Sequence, residues 1–222
     1  MIKPRHNQTC NPVPSDALSG RCVPSPQSPA ICGFLMIKAS AENKLTLQEF
    51  LSLPQGDVNY EFVDGYAVAK VSPKFFHSAS QRALLFLIYA WCKGKGRVAA
   101  EWAIILKFKG KDWAPIPDLT YISYERLPKS WQLNEACPVP PELVIEIISP
   151  GQTMKEFEDK AQDYFAAGVS RVWVVDPQAM SVRVFFSPDT SLIYTDNMLI
   201  VDPLLPGLEL TVRQIFQEAE LI

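Results

Sequence analysis

The stretch from Leu143 to Asp176 limits the chain's architecture more than any other. It runs from "LVIEIIS" through "TMKEFEDKAQDYFAAG" to "SRVWVVD". Two short apolar runs rich in β-branched residues enclose a segment with helical periodicity that stops at Gly168, which reads as strand, helix, strand. Such a crossover normally joins parallel neighbours in one sheet. Parallel strands are covered on both faces, which explains why the runs are continuously apolar rather than alternating. One residue violates that pattern. Glu146 puts a carboxylate inside the first run, and an unpaired charge stranded there would cost several kcal/mol. It therefore needs an exit to water, a cationic partner or a metal ion.

The flanking segments point to a mixed sheet. Thr46 and Glu49 in "TLQEFLSL" have capping-box spacing for a short helix. "NYEFVDGYAVAKVS" reads as two strands turning at Asp64-Gly65. "HSASQRALLFLIYAWCKG" predicts a buried helix opening near His77 and closed by Gly94, and "RVAAEWAIILKFKGKD" a single long strand. "IPDLTYIS" is a strand led by Pro117. "SVRVFFS" and "SLIYT" extend the sheet antiparallel, and "TVRQIFQEA" ends the chain as a helix. The expected class is α/β in the broad sense, or α+β: a mixed central β-sheet flanked by helices.

Residues 1–35 contain six prolines and no strand or helix periodicity. They read as a disordered leader or an over-extended gene start, with the folded domain at 45–218. No apolar run approaches the ~18 residues of a membrane helix. The five cysteines show no zinc spacing, and an odd number argues against a full disulfide framework, which suggests a reducing, cytoplasmic setting. The formal charge is −3, and without the first 35 residues 18 basic residues face 23 acidic ones, a net of −5. A protein gripping nucleic acid mainly through phosphates usually carries a basic excess, so any basic face must be local.

Asp118 follows Pro117 at the start of one strand and Glu146 lies inside another. If those strands are neighbours, the two carboxylates converge and either share a proton or bind a hard divalent cation. The competing assignment puts Asp118 in a turn and Glu146 on a solvent-facing edge, the commoner outcome for an arbitrary sequence. Lys160 borders the apolar stripe formed by Met154, Phe157, Ala161, Tyr164 and Phe165. It can reach over the sheet end towards the carboxylates, although periodicity alone favours a solvated pair with Glu156 at (i, i−4). Tyr164 and Trp173 read as core, Asp64 as a turn residue, and Asp176 as a strand end.

Taken in order, "YEFVDG", His77, "PDLTYI", "PELVIEIISP" and "K…Y…AGVSRVWVVDP" resemble the Uma-two family of bacterial restriction endonucleases, in the PD-(D/E)xK nuclease superfamily. The resemblance spans about Leu45 to Glu218. It implies a restriction-endonuclease-like core and a metal-dependent endonuclease hydrolysing phosphodiester bonds of nucleic acid, DNA foremost, with Mg²⁺ or Mn²⁺ as cofactor. Asp118 matches the aspartate of the "PD" element and Glu146 the second acid, the two metal ligands. The lysine that the wider superfamily places two residues after that acid is Ile148 here. The family instead carries a lysine on the next helix, at the place of Lys160. Glu61 matches an early acidic residue, and His77 a histidine that opens the next helix and is a candidate hydrogen bonder behind the site. Glu156 stands where relatives carry an aspartate, and Ser78 where they tend to glutamine. The superfamily often works as dimers, so a homodimer is an expected assembly. The alternative function is a catalytically inactive nuclease-fold binding or assembly module, motivated by the acidic balance and by Ile148.

Overall fold

Local signals set most of the element boundaries. In the computed structural model, which describes residues 44–54 and 58–222, Thr46 caps helix α1 (Leu47–Leu51) through a reciprocal box with Glu49. The leader assigned to residues 1–35 lies outside the described residues. Strands β1 (Tyr60–Val63) and β2 (Tyr66–Ala69) form an antiparallel hairpin with Val63 facing Tyr66. Its two turn residues, Asp64 and Gly65, have φ of 50° and 89°, the left-handed pair that a tight hairpin of this twist requires. Helix α2 (Phe75–Cys92) follows, then β3 (Gly96–Ala100), β4 (Leu106–Phe108), β5 (Lys111–Ala114), β6 (Leu119–Ser123) and β7 (Leu143–Ile147). Helix α3 (Met154–Ala166) leads to β8 (Arg171–Asp176), β9 (Ser181–Ser187), β10 (Thr190–Thr195), β11 (Leu199–Ile200), β12 (Leu210–Thr211) and α4 (Val212–Glu218).

The central sheet is mixed and six-stranded, in the order β10-β9-β8-β7-β6-β3. The pair β7–β8, joined through α3, is parallel, and the other pairs are antiparallel. Period-2 alternation sorts β7 between two cores. Leu143, Ile145 and Ile147 join a cluster that includes Leu84 and Ile88 of α2 and Ile215 and Phe216 of α4. Val144 points the other way, into a cluster with Phe157, Ala161 and Tyr164 of α3. Glu146 shares that second face. A smaller antiparallel sheet, β2-β1-β5-β4, contributes Leu106 and Trp113 to the same cluster, and the Trp113 and Tyr164 ring centroids are 4.9 Å apart. Glu146 is therefore covered by both α3 and the small sheet.

Two expectations need correction. The segment 97–112 is not one strand. β3 pairs with β6 in the central sheet, whereas β4 pairs with β5 in the small one. The chain leaves the first sheet at Glu101, whose φ of 50° turns the backbone out of the extended region. Nor does His77 open its helix: α2 begins at Phe75, just beyond Pro73 and the cap residue Lys74.

Gly96 shows how tightly β3 sits on β6. A Cβ there would lie 2.6 Å from Cε2 of Tyr121 and 2.7 Å from the Ile122 carbonyl oxygen. The carbonyl is part of the sheet and cannot rotate away. Gly96→Ala is expected to destabilise the protein by about 2 kcal/mol, lowering Tm by roughly 4–8 °C in a thermal melt. An unchanged Tm would mean that the β3–β6 edge is looser than described.

Candidate active site

The register of β6 on β7 brings the two acids of the sequence pattern together for a geometric reason. Leu119 faces Ile145 and Thr120 faces Val144, so one step further along the ladder Asp118 stands across from Glu146. Residues opposite one another in an antiparallel pair project to the same side. Asp118 is 2% exposed and Glu146 3%, and both line a cavity of about 620 Å³ together with Glu61, Lys160, His77 and Glu101. Asp118 is fixed by the backbone of its partner strand, since the Ile147 amide donates to Oδ2 at 2.7 Å. Nε2 of His77 lies 3.0 Å from the same oxygen. An ionised Asp118 can only accept, so Nε2 carries the proton of that bond. Although burial opposes it, the His77 bond and the Lys70 ammonium hold the Asp118 carboxyl below the usual aspartate value.

Glu146 finds the cationic partner that its position demands. Lys160 Nζ is 3.0 Å from Oε1, and the Tyr164 hydroxyl donates to that oxygen at 2.6 Å. Lys160 also donates to Oε1 of Glu61 at 2.8 Å, and the Ile116 amide donates to the same Glu61 oxygen at 3.2 Å. Burial pushes the Glu146 carboxyl up to about 7; Lys160 works against that rise, while Asp118 and Glu61 add to it. Burial also disfavours the Lys160 charge, yet Glu146 and Glu61 outweigh it and raise the ammonium's pKa above the ordinary lysine value. Burial and the neighbouring Glu146 carboxyl raise the Tyr164 phenol well above its ordinary value, which keeps it a donor.

All five residues singled out from the sequence, Asp118, Glu146, Lys160, Glu61 and His77, line this one cavity. The solvated pair between Lys160 and Glu156 does not form. Glu156 instead closes the capping box of α3, accepting from the Thr153 amide at 2.8 Å. Tyr164 combines the expected core packing with a polar contact that periodicity could not reveal. Two further charged residues escaped the sequence reading. Lys70, just past β2, donates to Asp118 Oδ1 at 3.0 Å and to Glu101 Oε2 at 3.0 Å. Glu101 also accepts from Gln81 at 3.1 Å. The left-handed conformation at Glu101 is what turns it into the cavity, and nothing in the alternation of "RVAAEWAI" marks it.

A family model described as "Putative restriction endonuclease", Uma2, matches residues 47–213. The chain belongs to the Uma2 family. Among solved structures, the crystal structure of a protein described as a "putative nuclease belonging to DUF820", from Anabaena variabilis, is 24% identical with a TM-score of 0.68, covering 79% of this chain and 99% of that one. That likeness shows a shared fold. No curated protein matches the sequence.

The donor set of this Uma2 protein suits a hard divalent cation. Four carboxylates, of Glu61, Glu101, Asp118 and Glu146, face two ammonium groups, of Lys70 and Lys160, leaving two formal negative charges in a cleft that opens to solvent. Among the described residues no three His, Cys, Asp or Glu side chains form a ready ligand cluster. Mg²⁺ does not need one. It typically takes one or two carboxylates and completes its shell with water and substrate phosphate oxygens. The absence of thiol or clustered imidazole donors here makes the set a poor one for structural zinc.

Proposed function

We propose that the protein is a metal-dependent endonuclease that hydrolyses phosphodiester bonds of DNA through a PD-(D/E)xK-type site in the domain 45–218, with Asp118 and Glu146 holding Mg²⁺ or Mn²⁺. The observation that carries this reading is the pairing of those two carboxylates across β6 and β7 in one cavity, with the Lys160 ammonium 3.0 Å from Glu146. Family membership supports the reaction class. A bound ion would polarise a phosphoryl oxygen and make its water easier to deprotonate.

The chain's own residues supply the rest. Lys160 is held between Glu61 and Glu146, where its charge can meet a non-bridging phosphate oxygen or orient the attacking water. Glu61 aims Lys160 and offers a carboxylate to accept a proton. His77 lines the same cavity and holds Asp118 in place through Nε2. Ile148, at the position of the superfamily lysine, is partly buried against the α3-facing core, so the ammonium comes from the helix instead. That substitution of origin weakens the case for an inactive module. No helix among the described residues is long and apolar enough to cross a membrane. The same reading places the protein in the cytoplasm, acting as a homodimer when both strands of a duplex are cut.

The test is nicking of supercoiled plasmid. Conversion to open-circular DNA is expected with Mg²⁺ or Mn²⁺ and not with a chelator. Plasmid left intact in both metals, by protein that is folded, would leave the binding or assembly module as the better reading.

A further inference from the structure

We propose that Lys70 is a tethered cation filling the second of two adjacent cation positions, so that the site takes a single divalent ion beside a permanent ammonium. Its Nζ meets three oxygens from separate segments: the Ile116 carbonyl at 2.8 Å, Asp118 Oδ1 at 3.0 Å and Glu101 Oε2 at 3.0 Å. An ammonium has three donors, and all three are used. The side chain is only 17% exposed, which is deep for a lysine. A main-chain oxygen with two carboxylates is a donor set of the type that hard divalent ions take. Here a covalently attached charge sits in it.

The surroundings are built to keep it there. Glu101 holds a left-handed backbone conformation, and Gln81 braces its other oxygen at 3.1 Å. Asp118 divides its two oxygens, with Oδ1 on Lys70 and Oδ2 on His77 and the Ile147 amide. Two-metal phosphoryl-transfer sites spread the developing charge over a pair of ions a few ångströms apart. In this chain Lys70 supplies the partner charge without a second ion. It acts through Asp118 and Glu101, as a positioning residue. The inference rests on Asp118 being a metal ligand, as proposed above, but it makes a separate prediction about ion number.

Calorimetric titration of the full chain with Mn²⁺ alone tests it. Lys70→Met is expected to bind one more Mn²⁺ per chain than the unaltered protein, and Lys70→Met/Glu101→Gln to return to the original number. If Lys70→Met fails to fold, Lys70→Gln, which keeps a polar side chain, serves for the same comparison. An unaltered protein that binds no ion, with one gained on losing Lys70 and lost again with Glu101, would support the tethered cation and overturn the Asp118–Glu146 metal site. Equal numbers in the unaltered and Lys70 variants, zero included, overturn the inference. So does an extra ion that persists when Glu101 is also changed.

Discussion

Plasmid nicking in Mg²⁺ is expected to fall at least about 1,000-fold in either Asp118→Asn or Glu146→Gln, equivalent to roughly 4 kcal/mol of lost transition-state stabilisation. Each change keeps the side chain's shape and removes its charge, so the packing against β6, β7 and α3 survives. The two acids face each other across one ladder step. Glu101 has both oxygens taken, by Lys70 and Gln81, and Glu61 spends one oxygen on Lys160 and the Ile116 amide. Losing either acid would halve the charged donors of the proposed ion site and shift the ion relative to the phosphate and the attacking water. Melting curves recorded alongside separate a loss of chemistry from a loss of fold. If both variants nick at the unaltered rate, the chemistry does not run through these two carboxylates.

The second large effect falls on stability. Lys160→Met should destabilise the protein by about 3–5 kcal/mol, because it strips a buried carboxylate of its counter-charge. For a domain of this size that corresponds to a Tm lower by roughly 6–20 °C. Tyr164 alone, with a single hydroxyl on Glu146 Oε1, cannot replace the ammonium. The double variant Lys160→Met/Glu146→Gln is expected to regain part of that stability, since a neutral amide needs no counter-charge while Glu61 still lacks its ammonium, and to remain inactive. The double-mutant cycle isolates the pair's coupling from each side chain's separate packing. Additive costs, with no recovery in the double variant, would show that the two groups are not energetically paired.

The parts of this fold that were legible in the sequence are those encoded over a few residues. The box of Thr46 and Glu49, the Asp64-Gly65 turn, and the stop at Gly168 each depend on neighbours along the chain, and each appears where its residues stand. The parallel β7–α3–β8 unit was readable because burial on both faces leaves an unbroken apolar run. The break of 97–112 into two sheets was not. Both halves alternate like one strand, and the crossing is set by which partner, β6 or β5, lies beside each half.

The site divides along the same line. Glu146 was detectable because a carboxylate inside an apolar run is out of place locally, whereas Asp118 at a strand entrance is unremarkable by itself and stood out through the resemblance of "PDLTYI" to the family pattern. The pairing with Lys160 needed the helix to fold back over the sheet, and periodicity alone favoured Glu156 as its partner. Lys70 and Glu101 carried no local anomaly at all. They meet only because the small sheet and the edge of the central sheet converge on the same cavity, and their segments are 31 residues apart.

Everything proposed about the chemistry comes down to whether a divalent ion settles between the two strands. Anomalous diffraction from a crystal soaked in Mn²⁺ asks this directly. A peak within about 2–2.5 Å of oxygens from both Asp118 and Glu146 is the expected result. No peak there, with the two carboxylates still held by Lys70 and Lys160, would contradict it.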